Sequence, residues 1–350
     1  MSDFSNTLLA WYEAHQRDLP WRQTHDPYLI WISEAILQQT RVAQGLAYYQ
    51  RFITQYPDIQ TLASSSIDEV MKLWQGLGYY SRARNLHAAA QTIVAHFHGE
   101  FPRSYEEVRS LRGIGDYTAA AICAFAYNTP CAVVDGNVYR FFARLFNLDT
   151  PINTSAGHKL FAQIATSLID TQQAALWNQA VMEFGALHCL PNQPLCTTCP
   201  FAERCLSLSA HTIAQRPVKK GKATIRSRWL NYLHITCGDQ VFIHRREERD
   251  IWQGLYEFPL IESDRPLAFE ELIATDTFQQ LFANTHFHLL HTQVMAKHQL
   301  THQALYAIFY HIELAPEKSC NVDQNYQSIC AKELDDYAIP RLIERYLNKL

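Results

Sequence analysis

Cys189, Cys196, Cys199 and Cys205 fall in the order Cys-x6-Cys-x2-Cys-x5-Cys, and this run restricts the fold of the chain more tightly than any other feature. Four thiolates joined by short loops are ligand geometry, because each sulfur must turn inward on a common centre. A structural zinc site joins two Cys-x2-4-Cys knuckles by a longer stretch. Here only the Cys196–Cys199 pair has knuckle spacing, so an iron–sulfur cluster is favoured over zinc, and a compact 4Fe–4S cluster most of all.

The other cysteines (Cys123, Cys131, Cys237, Cys320 and Cys330) are scattered and odd in number, which does not make a disulfide framework. Trp11, Tyr12, Glu13 and Arg17 interrupt the first apolar stretch, and no apolar run is long enough to cross a bilayer. The expectation is a soluble, reduced, cytoplasmic chain with no membrane association.

At 350 residues the prior is two domains, and a change of periodicity locates them. Residues 1–206 read as an all-α domain that includes the cysteine loop. Helices are expected at 28–40, 42–55, 81–97, 116–127, 137–146, 155–169 and 172–187, with capping boxes at Ser66–Glu69 and Ser104–Glu107. Residues 207–226, with Pro217, Lys219, Lys220, Gly221 and Lys222, read as a linker. Residues 227–350 read as α+β, with strands at 230–237, 240–245, 287–294 and 303–314 and helices at 269–282 and 340–350. Gly238-Asp239 joins the first two strands as a hairpin. Residues 1–226 hold 19 Lys and Arg against 17 Asp and Glu, so any polyanion must be gripped by a local patch.

Three motifs carry chemistry. Gly113 and Gly115 alternate between two helices, where a bare backbone can offer amide donors to a phosphate. In Val133-Val134-Asp135-Gly136-Asn137, a carboxylate stands at a buried helix start; taken alone, it reads as a cap. Glu34 sits in apolar helix with Trp31 and Gln38 on its face, surroundings that raise a carboxyl pKa.

Read together with Leu19-Pro20-Trp21-Arg22, the run from Ser33 and Glu34 through Gln38, Gln39 and Thr40, and Gly76-Leu77-Gly78-Tyr79-Tyr80-Ser81-Arg82, these motifs resemble adenine DNA glycosylases of the MutY type, within the helix–hairpin–helix glycosylase superfamily. The resemblance implies removal of adenine mispaired with 8-oxoguanine or guanine in double-stranded DNA, by a monomeric enzyme carrying a 4Fe–4S cluster. It assigns Glu34 to protonation of the base and Asp135 to stabilisation of the cationic sugar, with Tyr117 and Asn137 lining that site. It assigns Trp21, Arg22, Leu37 and Gln179 to the adenine pocket, and Gln39 and Tyr79 to the gap in the base stack. Bifunctional relatives carry a lysine where this chain has Tyr117, so base removal without an efficient lyase step is implied.

The C-terminal part resembles a Nudix-like module through Arg245, Trp252, Gly254, Leu255 and Phe258-Pro259, but lacks the glutamate array that binds magnesium in Nudix hydrolases. The module therefore reads as one that inspects the base opposite adenine. Where the family commonly shows Phe-Ser-His, this chain has Leu300-Thr301-His302, so Thr301 keeps the hydroxyl and the aromatic ring is absent. The competing readings are an endonuclease III-like pyrimidine-lesion glycosylase and lyase, and a catalytically silent iron–sulfur DNA-binding protein.

Overall fold

The computed structural model describes residues 3–221, 225–282, 285–315, 322–323 and 325–350. Lys222, expected in the linker, and Cys320 lie outside the described residues. The chain forms two compact units. One comprises residues 1–64 with 85–221, and the other residues 65–84 with 222–350.

In chain order the helices of the first part are α1 (Asp3–His15), α2 (Pro27–Leu37), α3 (Val42–Gln55), α4 (Ile59–Ser64), α5 (Ile67–Trp74), α6 (Ser81–His96), α7 (Tyr105–Ser110), α8 (Asp116–Tyr127), α9 (Gly136–Leu145), α10 (Ser155–Leu168), α11 (Ala174–Leu187) and α12 (Leu206–Ser209). Their starts are written in the sequence. Asp26 accepts from the Tyr28 amide ahead of α2, with Pro27 in the first turn, and Thr154 caps α10. Both capping boxes form, at Ser66–Glu69 and Ser104–Glu107. The helix expected over 28–40 stops at Leu37, because Gln38 leaves the helical region and Gln39 takes φ 59°.

The core beneath α1, α9 and α11 is aromatic: Phe141, Phe142, Phe161, Trp177, Phe184 and Phe201 are buried around Leu8 and Tyr12. Each such ring contributes about 2–3 kcal/mol on burial. Cys189, Cys199 and Cys205 pack against this cluster, so the cysteine loop is part of the core's wall. The first half of the region expected as a linker packs on the helical unit, with Ile152 N–H donating to Val218 O at 3.0 Å and Asn153 bonded to Lys220.

The second unit is built on β1 (Arg226–Cys237), β2 (Gln240–Arg245), β3 (Tyr256–Glu257), β4 (Leu260–Ser263), α13 (Phe269–Ile273), α14 (Asp276–Leu281), β5 (Phe287–Val294), β6 (His298–Gln299), β7 (Gln303–Leu314), β8 (Gln327–Cys330) and α15 (Arg341–Leu347). The hairpin turns at Gly238, φ 59°, and pairs Cys237 with Gln240. β1 and β7 pair in parallel from Arg226↔Gln303 to Thr236↔Glu313, a long-range register that no hairpin signal announces. The single helix expected over 269–282 is two, broken where Thr275 caps the second. Cys237 is disulfide-bonded, a departure from the expectation of a reduced chain. Among the described residues no helix is long and apolar enough to cross a membrane.

Candidate active site

The helical unit holds a cleft of about 1160 Å3 whose walls include Trp21, Arg22, Glu34, Leu37, Gln38, Gln39, Gly113, Gly115, Tyr117, Asp135, Asn137 and Gln179. These residues come from α2, the α7–α8 turn, the start of α9 and the face of α11, so distant segments converge on one space. Its volume accommodates a whole nucleotide.

Glu34 points inward from α2 and is 8% exposed. Burial pushes its carboxyl from 4.5 up to about 7, with the charge of Asp135 adding to the rise and a hydrogen bond from Tyr117 working against it. The Tyr117 hydroxyl is itself raised well above its ordinary range by burial and the two carboxylates, so it stays a neutral donor. Gln38, at the end of α2, donates from Nε2 to Thr118 Oγ1 at 3.1 Å.

Asp135 is a helix cap whose carboxylate also lines the cleft. Its Oδ1 accepts from the Asn137 and Val138 amides at 2.9 and 2.8 Å, and Oδ2 accepts from Asn137 Nδ2 at 2.7 Å. Burial raises this carboxyl, while those three donors and the nearby Arg140 guanidinium oppose the rise. Arg140 in turn donates to Asn137 Oδ1 at 2.9 Å and to the Cys189 carbonyl at 2.7 Å. α11 can approach this helix start because residue 185 is glycine: an added Cβ would meet the Asn137 carbonyl oxygen at 2.6 Å.

The α7–α8 turn needs one of its glycines for shape. Gly113 takes φ 81°, and a Cβ there would lie 2.5 Å from the Asn85 Cβ. Gly115 caps α8 at φ −92° with open space beside it, which leaves the first-turn amides accessible. Arg109 pairs with Asp116 at 2.5 Å and so offsets the acid at this helix start.

Gln39 and Tyr79 share a signature: both are non-glycine residues in the left-handed region, at φ 59° and 49°. Such conformations cost about 1–3 kcal/mol and persist where neighbours enforce them. Tyr79 belongs to the second unit, is 47% exposed, and its hydroxyl lies 3.1 Å from Thr301 Oγ1. The segment bearing it is tied down by Arg245–Asp68 at 3.0 Å, Lys72 Nζ to Tyr337 O at 3.2 Å, and Arg84 to Gln253. Thr301 and His302 form the exposed turn between β6 and β7.

Cys189, Cys196, Cys199 and Cys205 line one cavity, walled by Phe141, Phe184, Phe201 and Arg144. Arg144 is 3% exposed and donates to Cys189 Sγ at 3.5 Å, to the Leu190 and Pro191 carbonyls at 2.6 and 2.9 Å, and from Nε to the Ile213 and Arg216 carbonyls at 3.2 Å. Burial raises the Cys199 thiol to about 11. Arg204, the one basic residue of the loop and the candidate for phosphate contact, pairs with Asp3.

Sequence reasoning missed Glu183, Arg17 and Tyr12. Glu183 is 1% exposed and accepts from Arg17 Nε at 2.8 Å and Arg22 Nη1 and Nη2 at 2.9 and 2.7 Å. Burial would raise it, but the two guanidinium groups hold it down at about 2. An acid four residues past Gln179 on the same apolar helix was the available signal.

Residues 32–164 match the family described as "HhH-GPD superfamily base excision DNA repair protein", and residues 231–349 match a "NUDIX domain". The chain is 35% identical over 260 residues to the adenine DNA glycosylase of Buchnera aphidicola subsp. Baizongia pistaciae, covering 73% of each. It is 37% identical over 287 residues to the mouse adenine DNA glycosylase, covering 79% of this chain and 55% of that protein. Among solved structures it is similar to a thermostable thymine-DNA glycosylase, with 29% identity and a TM-score of 0.56 over 59% of this chain and 95% of that one. An endonuclease III–DNA complex, at 20% identity and a TM-score of 0.52 over 60% and 95%, shares the fold.

Proposed function

This chain belongs to the adenine DNA glycosylases, and from that premise we propose that it excises adenine paired with 8-oxoguanine or guanine in duplex DNA, by acid-assisted hydrolysis between Glu34 and Asp135. It is a DNA glycosylase of base excision repair, with a Nudix-like domain following the helical one. The observation that carries the mechanism is the pairing of two unlike acids in one cleft.

Adenine leaves poorly as an anion, so the N-glycosidic bond needs a proton on the base as it departs. Glu34, with its carboxyl at about 7, holds a proton near neutrality. The sugar left behind carries positive charge. Asp135, with three N–H donors on its two oxygens, is the carboxylate better fitted to stay ionised and face that charge. Once the base has left, ionised Glu34 accepts a proton from the attacking water. Tyr117 donates to Glu34, and its phenol cannot form a Schiff base, which supports base removal with little strand cleavage.

To reach the cleft the nucleotide must leave the helix, at a cost of a few kcal/mol. Gln39 and Tyr79, held in strained backbone, are suited to fill the gap, and the amides after Gly113 and Gly115 are suited to grip phosphate. Thr301, with His302 beside it, would read the opposite base next to Tyr79. The four thiols fit a 4Fe–4S group in donor chemistry and in sharing one cavity. Bound there, it would cross-link residues 189–205, and no step of base release runs through it. We further propose a cytoplasmic, nucleoid-associated monomer.

Single-turnover rates on adenine opposite 8-oxoguanine, guanine, cytosine and thymine test the reading. Fast release opposite the first two supports it, and equal rates on all four overturn it.

A further inference from the structure

Gln179 lines the cleft, and one end of its amide is already committed. The Tyr12 hydroxyl, on a residue 1% exposed in α1, donates to Gln179 Oε1 at 2.9 Å. Among the described residues this hydroxyl has no other acceptor, so turning the amide over would leave a buried proton unpaired, which disfavours the turned form. The amide therefore stands with Oε1 toward Tyr12 and Nε2 toward the cleft, where no described residue takes its hydrogens. The Tyr12 ring is held in turn by the Arg22 guanidinium, 5.8 Å from its centroid, and Arg22 is clamped by Glu183.

We propose that Tyr12 is a positioning residue for base recognition: it fixes Gln179 so that a donor, not an acceptor, meets the extruded base. A donor at that point selects a bare ring nitrogen. Adenine offers N1 and N3 on its six-membered ring; N7, on the other ring, is the atom that the resemblance to adenine DNA glycosylases gives to protonation by Glu34. A base with a C–H or N–H in that place meets the amide donor with nothing to accept it. This inference rests on the adenine-excision reading.

The test compares single-turnover release of adenine, 1-deazaadenine and 3-deazaadenine, each opposite 8-oxoguanine, by the wild type and by Tyr12→Phe. Taking the ratio of rates within each preparation cancels the active fraction, and comparing that ratio between proteins cancels the intrinsic bond strengths. The wild type is expected to lose about tenfold on one deaza base, the size of a single hydrogen bond. Which base suffers identifies N1 or N3. Tyr12→Phe, which keeps the ring and removes the hydroxyl, is expected to shrink that penalty to about twofold by slowing adenine alone. An unchanged penalty in Tyr12→Phe overturns the proposal.

Should Tyr12→Phe not fold, Gln179→Glu, which still accepts from Tyr12 but offers no donor, is expected to abolish the penalty. Retention of the penalty in that variant overturns the proposal equally. A wild type that releases adenine with no penalty on either deaza base removes this inference and leaves the excision reading standing. A wild type that releases no adenine removes both.

Discussion

Replacing Glu34 with glutamine should make the protein more stable and less active at once, and the size of the gain follows from burial. An ordinary glutamate titrates at 4.5, whereas burial moves Glu34 to about 7. The folded state therefore holds a proton that the unfolded chain releases between those values. The sign is fixed by that order: the contribution is fully present below 4.5 and is lost as pH rises through about 7. Above that point the folded protein carries a buried charge, at a cost of about 3 kcal/mol. Glutamine resembles the protonated form and carries no such cost. The difference in stability between Glu34→Gln and the wild type should therefore grow by about 2–3 kcal/mol from pH 5 to pH 9, always in favour of the variant. Urea unfolding followed by tryptophan fluorescence at the two pH values measures it, with Trp21 and Trp31 reporting from the surrounding core. A difference that stays constant with pH, or a variant less stable at pH 9, would refute the assignment of Glu34 as the buried proton carrier.

Other outcomes follow from the same geometry. Cys199→Ser should lose the visible thiolate-to-iron absorption of the purified protein, and an unchanged spectrum would contradict the cluster assignment. Gly185→Ala should slow adenine release by tenfold or more, because its Cβ must displace the Asn137 carbonyl now 2.6 Å away; single-turnover kinetics with a control for duplex binding reads the effect. Borohydride added during turnover should trap no covalent protein–DNA adduct at Tyr117, which gel mobility and peptide mapping would check.

The helical signals were legible because they are local. Capping boxes and the three- and four-residue apolar spacing each act within one turn, and α3 and α8 run over the expected residues 42–55 and 116–127. The end of α2 was not legible, since nothing in Gln38-Gln39 marks the left-handed conformation that Gln39 takes. The parallel β1–β7 pairing depends on residues more than seventy positions apart, which no local pattern encodes. The same limit hid the packing of residues 65–84 with the C-terminal part, and hence the meeting of Tyr79 with Thr301. Glu183 and Tyr12 escaped notice because their partners lie across the fold, and their roles depend on hydrogen bonds rather than on composition.

The most direct measurement is the single-turnover rate of adenine release by Glu34→Gln from duplex DNA carrying adenine opposite 8-oxoguanine, taken beside its affinity for that duplex. A loss of about a hundredfold to ten-thousandfold in rate, with affinity unchanged, is the expected result for removal of a general acid. Release at close to the wild-type rate would mean that the buried carboxyl of Glu34 delivers no proton to the departing base.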